Sequence, residues 1–258
     1  MSDPTRQFRL DGRRAIVTGA SSGLGVVMAE ALAGAGARVV VAARRRSNLE
    51  EVAARIGAAG GEAVAVECDV TDEAAVERLV EAAMDAFGGI DVLVNNAGTS
   101  DPRPAEDEPY ELFQHIVDVN LNGVFLCTKA CARRMLAVGS GSIVNVASIL
   151  GIVGAGQVPQ ASYTASKGAV VNLTRELSAQ WARRGIRVNA ILPGWFPSEM
   201  TAEMFADDSG LQWIRRKTPM GRAGDPEELV GALLFLASDA SSYVTGASLA
   251  VDGGWTAV

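Results

Sequence analysis

The chain has 258 residues, 48% of them hydrophobic and 21% charged, so it can bury one large α/β core and is too apolar for a disordered protein. Its formal net charge of −7 argues against nucleic acid or an anionic membrane as partner, because neither attracts excess carboxylates. Three cysteines and one histidine are too few for a disulfide framework or a zinc site. We therefore expect no metal and a cytoplasmic location.

Short apolar runs rich in β-branched residues alternate with segments of helical period, which is typical of βαβ units and a parallel sheet. Strands are predicted over residues 14–18, 38–42, 63–67, 92–95, 142–147, 187–192 and 248–251. Several are apolar on both faces, as in a sheet covered by helices on both sides. The sequence therefore predicts an α/β fold, a single doubly wound Rossmann domain over residues 1–258 with seven parallel strands.

Two helix starts follow from capping residues. Ser47 followed by Glu50 matches a capping box, and Asp225 followed by Pro226 places proline at the first helical position after an acidic cap. A longer helical segment is predicted over residues 110–137.

A glycine-rich loop joins the first predicted strand to a helical stretch over residues 26–35. Gly19 permits the tight turn, Gly23 lets the backbone approach a pyrophosphate, and Gly25 allows close helix packing. The helix N-terminus, with its free N–H groups, favours an anion. The candidate binding residues are Gly19, Ser21, Ser22, Gly23, Leu24 and Gly25. A loop without a ligand is the alternative, but the strand before and the helix after favour a dinucleotide.

The loop spacing, Gly-x3-Gly-x-Gly, together with motifs farther along the chain, resembles the short-chain dehydrogenase/reductase family in its single-domain branch. The other motifs are Asp69-Val70, Asn95-Asn96-Ala97-Gly98, Asn120, Ser148, Tyr163-x3-Lys167, Pro193-Gly194 and Val251-Asp252-Gly253-Gly254. The resemblance covers nearly the whole chain. It implies an enzyme that uses a nicotinamide dinucleotide and assembles as a homotetramer or homodimer.

The resemblance also implies further cofactor contacts. Asp69, followed by Val70, would face the adenine, and Ser198 stands where the family often has a threonine that holds the nicotinamide carboxamide. The remaining implied contacts are Asn96, Ala97, Gly98, Pro193 and Gly194. The loop between Ser148 and Tyr163 looks slightly longer than is usual in the family, which leaves the wall of the substrate pocket open.

Reversible hydride transfer to a carbonyl needs a proton donor tuned toward neutral pH and a second donor aimed at the oxygen. Tyr163 and Lys167 share one helix face at i, i+4, where the ammonium can lower the phenol pKa. Ser148 follows a strand at the carboxyl edge of the sheet and would bond the substrate oxygen. Each residue alone has a plain structural explanation, a surface pair or a cap, but together they indicate catalysis.

Two further roles come from the resemblance. Lys167 would also hold the nicotinamide ribose, and Asn120 would relay water to Lys167, although a buried asparagine can simply bridge backbone groups. The candidate catalytic residues are Asn120, Ser148, Tyr163 and Lys167, and Tyr163 and Lys167 are also candidate cofactor contacts.

The end of the second strand predicts NADP rather than NAD. Enzymes that use NAD place an acidic residue there, whereas this chain has Ala43 followed by Arg44, Arg45 and Arg46, with no carboxylate before Glu50. Guanidinium groups suit a 2′-phosphate, so Arg44 and Arg45 are candidate cofactor contacts. The alternative is a solvated turn.

Residues 194–221 carry aromatic and methionine side chains and are predicted to form a substrate lid. These side chains can line an apolar pocket or pack a small helix onto the core, and the sequence does not decide between the two.

The sequence thus predicts an oxidoreductase that moves a hydride between NADP(H) and a small secondary alcohol or ketone. The alternatives are a catalytically silent dinucleotide sensor and an NAD-dependent sugar or polyol dehydrogenase of the same fold.

Overall fold

A computed structural model describes residues 3–258, so the first two residues of the predicted domain lie outside the described part. The strands are β1 (Arg14–Thr18), β2 (Arg38–Ala43), β3 (Glu62–Glu67), β4 (Val92–Asn95), β5 (Gly141–Val146), β6 (Ile186–Pro193) and β7 (Ser248–Val251). All pair in parallel, in the order β3-β2-β1-β4-β5-β6-β7. The predicted seven-stranded doubly wound fold is confirmed, and each predicted strand lies within one residue of its observed bounds.

Helices cover the sheet on both sides. Within residues 3–258 they are α1 (Gly23–Gly34), α2 (Arg46–Ala58), α3 (Glu73–Phe87), α4 (Tyr110–Val117), α5 (Gly123–Val138), α6 (Ala161–Trp181), α7 (Ala202–Ala206), α8 (Asp208–Lys217) and α9 (Val230–Ala237). Helices α1, α2 and α9 pack on one face, and α3, α5 and α6 pack on the other. The adjacent β1 residues Ile16 and Val17 are buried on opposite faces, which explains why the strands read as continuous apolar runs.

Two local predictions are corrected and one is confirmed. Helix α2 begins at Arg46 and has no side-chain cap, so Ser47 lies inside the first turn and the predicted capping box is wrong; Glu50 pairs with Arg46 instead. At the start of the α9 segment, Asp225 and Glu228 form a reciprocal capping box with proline in the first turn, as predicted. The segment predicted as one helix over residues 110–137 is interrupted by a π-helical turn, Asp118–Asn122.

The strand order reverses between β1 and β4, where the chain crosses from one half of the sheet to the other. Open α/β sheets bind their ligands outside the carboxyl ends of the strands at such a point. Within residues 3–258 no helix is long and apolar enough to cross a membrane. The same part of the chain contains no group of side chains that could hold a metal ion.

Candidate active site

A cleft of about 570 Å³ opens at the carboxyl ends of β1, β4 and β5, within the usual size of a small-molecule site. Every predicted cofactor-binding residue lines it: Gly19, Ser21, Ser22, Gly23, Leu24, Gly25, Arg44, Arg45, Asp69, Val70, Asn96, Ala97, Gly98, Tyr163, Lys167, Pro193, Gly194 and Ser198. Ser148 lines it as well. Asn120 is fully buried behind the cleft and is not among its lining residues.

The glycine loop is packed so closely that side chains are excluded at two positions. A Cβ on Gly19, where φ is +66°, would lie 2.7 Å from the Ala97 Cα, and a Cβ on Gly25 would collide with the Gly19 carbonyl. Helix α1 begins directly at Gly23 rather than at residue 26, so its first N–H groups lie at the cleft. A helix N-terminus in this position suits a phosphate.

Side-chain bonds from the end of β4 hold the loop against the sheet. The Asn96 amide donates from Nδ2 to the carbonyl oxygens of Thr18 (3.0 Å) and Gly19 (3.1 Å). The Thr18 hydroxyl in turn accepts from the backbone N–H groups of Asn96 and Ala97. The two strands on either side of the switch point are therefore fixed to each other where a cofactor would lie.

A buried polar network joins β4, β5, α5 and α6 beneath the cleft. Asn95 donates from Nδ2 to Thr128 Oγ1 at 2.8 Å and to Asn145 Oδ1 at 2.9 Å, and Asn145 donates from Nδ2 to Thr174 Oγ1 at 2.9 Å. All four side chains are buried, and Asn95 Oδ1 has no partner within residues 3–258. Buried networks of this kind fix the relative positions of the elements that they join.

Asn120 lies in the π-helical turn that separates α4 from α5. It donates from Nδ2 to the Thr99 carbonyl (2.9 Å) and the Ser166 hydroxyl (3.1 Å), and its Oδ1 accepts from the Thr99 N–H (2.8 Å). A Cβ on Gly98 would lie 3.3 Å from Asn120 Oδ1 and 3.5 Å from Lys167 Nζ. Asn120 therefore fixes the loop after β4 against α6, and it borders the same glycine as the lysine.

Lys167 is a buried ammonium group on α6, only 3% exposed. Its Nζ donates to the Val146 carbonyl at 2.8 Å and lies 5.7 Å from the centroid of the Tyr163 ring. Burial penalises the charged form and lowers the pKa of Lys167 to about 8. The Lys167 amine therefore remains mostly protonated at neutral pH, although burial of its positive charge is energetically unfavourable.

Tyr163 is half-buried beside Lys167. Burial raises the pKa of Tyr163, and the Ser148 hydroxyl partly opposes that shift. Lys167 does not contribute to this shift, so the lowering of the phenol pKa by the ammonium stays a prediction. Ser148, 7% exposed, also accepts from the Leu150 N–H at 3.1 Å and so caps the turn after β5.

Comparisons with known proteins identify the family and support the fold. A family model described as enoyl-(acyl carrier protein) reductase matches residues 19–256. Gluconate 5-dehydrogenase of Gluconobacter oxydans is 42% identical over 249 residues, covering 96% of each chain. The structure of a short-chain type dehydrogenase/reductase from Mycobacterium marinum has a TM-score of 0.94 at 41% identity, with 98% of each chain covered. The chain belongs to the short-chain dehydrogenase/reductase family. It is therefore an oxidoreductase that acts on CH–OH or C=O groups.

A second similar structure includes a cofactor. The gluconate 5-dehydrogenase from Burkholderia cenocepacia, in complex with NADP and tartrate, has a TM-score of 0.95 at 39% identity and covers 99% of this chain and 100% of its own.

The three arginines of this dehydrogenase differ in their partners. Arg46 pairs with Glu50 on its own helix, and Arg45 pairs with Glu199, which belongs to the segment predicted as a lid. Arg44 is exposed, forms no salt bridge within residues 3–258, and contributes to lowering the pKa of Asp69. Arg46 is thus an exposed residue in the first turn of α2, whereas Arg44 and Arg45 lie at the cleft.

The predicted lid begins with a turn over the glycine loop and continues through α7 and α8. Ser198 caps that turn in a reciprocal arrangement with Thr201. Three tryptophan rings, Trp195, Trp213 of α8 and the C-terminal Trp255, contact each other edge to face with centroids 5.0 to 5.6 Å apart. The tryptophans therefore pack α8 onto the core, whereas Phe196 and Met200 line the cleft, so each of the two interpretations left open by the sequence describes part of the segment.

Some residues of the cleft were not singled out from the sequence. His115 lines it from α4, and Glu199 and Thr201 line it from the lid. No local pattern marks them, because each acquires its place through contacts distant in sequence. The lone histidine was considered only as a possible metal ligand.

Proposed function

We propose that this dehydrogenase transfers a hydride between NADP(H) and a secondary alcohol or ketone, with Tyr163 as the acid/base group. The observation that carries the proposal is the convergence of Ser148, Tyr163 and the buried Lys167 at the floor of a cleft that also contains the glycine loop. A buried ammonium with a depressed pKa beside a phenol is an arrangement typical of catalytic sites. A catalytically silent sensor would not need it.

The residues fit a dinucleotide. The start of α1 and the glycine loop would hold the pyrophosphate, Asp69 and Val70 the adenosine, and Asn96, Ala97 and Gly98 the central part of the cofactor. Pro193, Gly194 and Ser198 would border the nicotinamide end. This assignment is supported by the start of α1 at Gly23, whose first N–H groups lie at the cleft, where a helix N-terminus favours a phosphate.

Bound NADPH would supply the hydride that the carbonyl carbon of the substrate accepts. The Ser148 hydroxyl donates to the carbonyl oxygen, and the Tyr163 phenol transfers its proton to that oxygen as the C–H bond forms. The Lys167 ammonium stabilises the phenolate that remains and would hold the ribose hydroxyls of a bound cofactor. Asn120 holds the loop and helix that border Lys167. In the oxidative direction the phenolate accepts the proton of the substrate hydroxyl.

The choice of NADP is supported by the missing acid at Ala43 and by Arg44, which forms no salt bridge within residues 3–258. A guanidinium in this position suits a 2′-phosphate. The similar gluconate 5-dehydrogenase from Burkholderia cenocepacia, solved with NADP, favours the same cofactor.

The substrate class that we propose is a small polyhydroxy compound, such as a sugar acid or a polyol. The two gluconate 5-dehydrogenases to which this chain is similar support that class. The tryptophans of the lid pack on each other and do not line the cleft, to which the lid contributes Phe196 and Met200 as apolar side chains. Residues 194–221 are proposed to close over this substrate.

We also propose that the dehydrogenase acts as a homotetramer or homodimer. Trp255 packs within its own chain. However, helix α9 leaves Leu234 and Phe235 only partly buried, and Tyr243, which follows this helix in sequence, is fully exposed. A helix that is apolar all round is normally covered. Light scattering should show a dimer or tetramer, and a stable monomer would contradict this proposal.

The experiment that tests the function is a calorimetric titration with NADP and NAD, followed by assays of gluconate, a hexitol, an apolar ketone and a 3-oxoacyl thioester. We expect tighter binding of NADP and turnover of a polyhydroxy substrate. Preferred use of NAD would contradict the cofactor assignment, and turnover of the thioester alone would indicate an acyl reductase. Binding without turnover of any reduced or oxidised substrate would favour the sensor.

A further inference from the structure

An ion pair connects the lid to the nucleotide end of the cleft. Glu199, in the first turn of the lid, accepts at Oε2 from Arg45 Nη2 (2.8 Å) and at Oε1 from Arg45 Nη1 (3.1 Å). The Ser22 hydroxyl donates to the same carboxylate at 2.8 Å. The guanidinium also donates from Nη2 to Ser22 Oγ at 2.7 Å and to Ser21 Oγ at 3.2 Å. A single carboxylate of the lid thus closes a ring of four side chains around the glycine loop.

The ring of Ser21, Ser22, Arg45 and Glu199 lies at the dinucleotide cleft, which all four residues line. The lid turn lies directly on the loop, because a Cβ on Gly23 would be 3.4 Å from the Cβ of Ser198. Arg45 is adjacent in sequence to Arg44, the proposed contact of the 2′-phosphate. The Glu199 carboxylate therefore pairs with the Arg45 guanidinium, a cation that a phosphate on the adenosine ribose would also attract.

The ion pair is weak enough to exchange partners. The side chains of Arg45 and Glu199 are 48% and 62% exposed, and pairs of that kind contribute little to stability. A phosphate carries more charge and more acceptor oxygens than a carboxylate, so it is the stronger ligand of a guanidinium.

Beyond its first turn the lid is packed on the core. Ile214 of α8 is fully buried, and Trp213 contacts Trp195 and Trp255 edge to face. A competitor for Arg45 would therefore release the first turn of the lid rather than detach α8.

We propose that Glu199 is a specificity-determining residue, a latch whose carboxylate competes with the 2′-phosphate of the cofactor for Arg45. A 2′-phosphate displaces Glu199 from the guanidinium and frees the first turn of the lid, whereas NAD leaves the pair intact. The lid thereby responds to which dinucleotide is bound. This inference rests on the proposed use of NADP.

The first test uses two probes that lack the nicotinamide, adenosine 2′,5′-bisphosphate and ADP, whose binding is measured by calorimetry. In Glu199→Gln we expect the bisphosphate to bind about fivefold more tightly than in wild type, while ADP binding is unchanged. The control is Glu203→Gln, an exposed lid glutamate that forms no salt bridge within residues 3–258, and it should bind both probes as wild type does. No change in Glu199→Gln, or an equal change for both probes, would overturn the latch.

A double-mutant cycle separates competition for Arg45 from the general loss of a negative charge. In an Arg45→Met background the gain from Glu199→Gln should fall to less than half its size, because the shared cation is absent. A gain of the same size in both backgrounds would show that Glu199 acts only by long-range repulsion, and the latch would be wrong.

Motion of the lid is measured by hydrogen exchange over residues 198–217. In wild type the bisphosphate should increase exchange there relative to ADP, and in Glu199→Gln the two probes should give equal exchange. Equal exchange with both probes in wild type would overturn the coupling to the lid.

The outcomes distinguish this inference from the proposed function. If wild type binds the bisphosphate more tightly than ADP but Glu199→Gln changes nothing, the use of NADP stands and the latch fails. If wild type prefers ADP while Glu199→Gln gains bisphosphate affinity through Arg45, the latch stands and the assignment of NADP as cofactor fails.

Discussion

The floor of the cleft and its lid are held by different kinds of interaction. The floor consists of β4, β5 and α6, joined by buried hydrogen bonds between amides and hydroxyls and by glycine positions that admit no added carbon. The lid includes the two short helices α7 and α8, fixed by an exposed ion pair and by an aromatic cluster in which the N–H groups of Trp195 and Trp213 have no acceptor within residues 3–258.

Buried polar networks restrict the elements that they join, whereas exposed ion pairs hold them only weakly. Ser148, Tyr163 and Lys167, the groups that we propose for proton transfer, all belong to the restricted part. The groups that we propose to select the ligand, Arg45 and Glu199, belong to the loosely held part. The groups that we propose for catalysis, which need exact positions, thus lie in the rigid floor. The groups that we propose for ligand selection, which must exchange partners, lie in the lid and at its edge.

The largest expected effect is on the chemistry of the floor. Tyr163→Phe removes the phenolic proton, so kcat should fall by about 10²- to 10⁴-fold while the dissociation constant for NADP stays the same. Steady-state kinetics and calorimetry measure the two quantities. The control is Tyr110→Phe, which changes a tyrosine that is 67% exposed on α4 and should keep normal turnover. Near-normal kcat in Tyr163→Phe would exclude this residue as the acid/base group.

The next effect concerns the rigidity of the floor. Asn145→Ala removes the bonds to Asn95 and Thr174 in a fully buried position, and we expect a loss of about 2–3 kcal/mol in the free energy of unfolding. Asn122→Ala, whose amide bonds only the exposed Asp118, should cost less than about 0.5 kcal/mol. Urea denaturation measures both. Equal losses would mean that the floor is no more constrained than the surface.

Features with a local signature could be predicted from the sequence. Strand bounds follow from apolar runs that are buried on both faces, and the glycine loop from a spacing that requires a tight turn. Tyr163 and Lys167 are adjacent through helical periodicity alone. Their distance from Ser148 could be anticipated because parallel strands end at a common edge.

Features that depend on tertiary contacts could not be predicted from the sequence. Arg45 and Glu199 are 154 residues apart in sequence, so the arginines look alike until the lid is placed. The phenol pKa depends on burial, which spacing does not reveal, and the cap expected at Ser47 failed because α2 begins one residue earlier. The π-helical turn at Asn120 replaces an uninterrupted helix because the amide bonds Thr99 and Ser166.

A smaller effect is expected at the rim. Arg44→Ala should weaken NADP binding about tenfold and leave NAD binding unchanged, because an exposed charge-assisted contact to phosphate is worth about 1.5 kcal/mol. Arg46→Ala is the matched control, since Arg46 pairs with Glu50 on its own helix, and it should change neither constant. An equal loss for both cofactors in Arg44→Ala would show that this arginine does not contact the 2′-phosphate.

The smallest expected effect is a pH dependence of stability that arises from Lys167. Burial lowers its pKa from 10.5 to about 8, so between those values the unfolded chain binds more protons than the folded protein. Stability therefore rises with pH in that window, and the penalty for the buried charge is complete below about pH 8.

Relative to Lys167→Met, wild type should gain about 1 kcal/mol in the free energy of unfolding between pH 7 and pH 9. The buried thiols Cys68 and Cys131, whose pKa values rise to about 11 and about 12, oppose this trend at alkaline pH but are common to both proteins. Urea denaturation of both proteins at pH 7, 8 and 9 gives the difference directly. If the free energies of unfolding of the two proteins changed in parallel with pH, the buried charge of Lys167 would carry no penalty in the free enzyme. The floor would then be rigid without being destabilised by this charge.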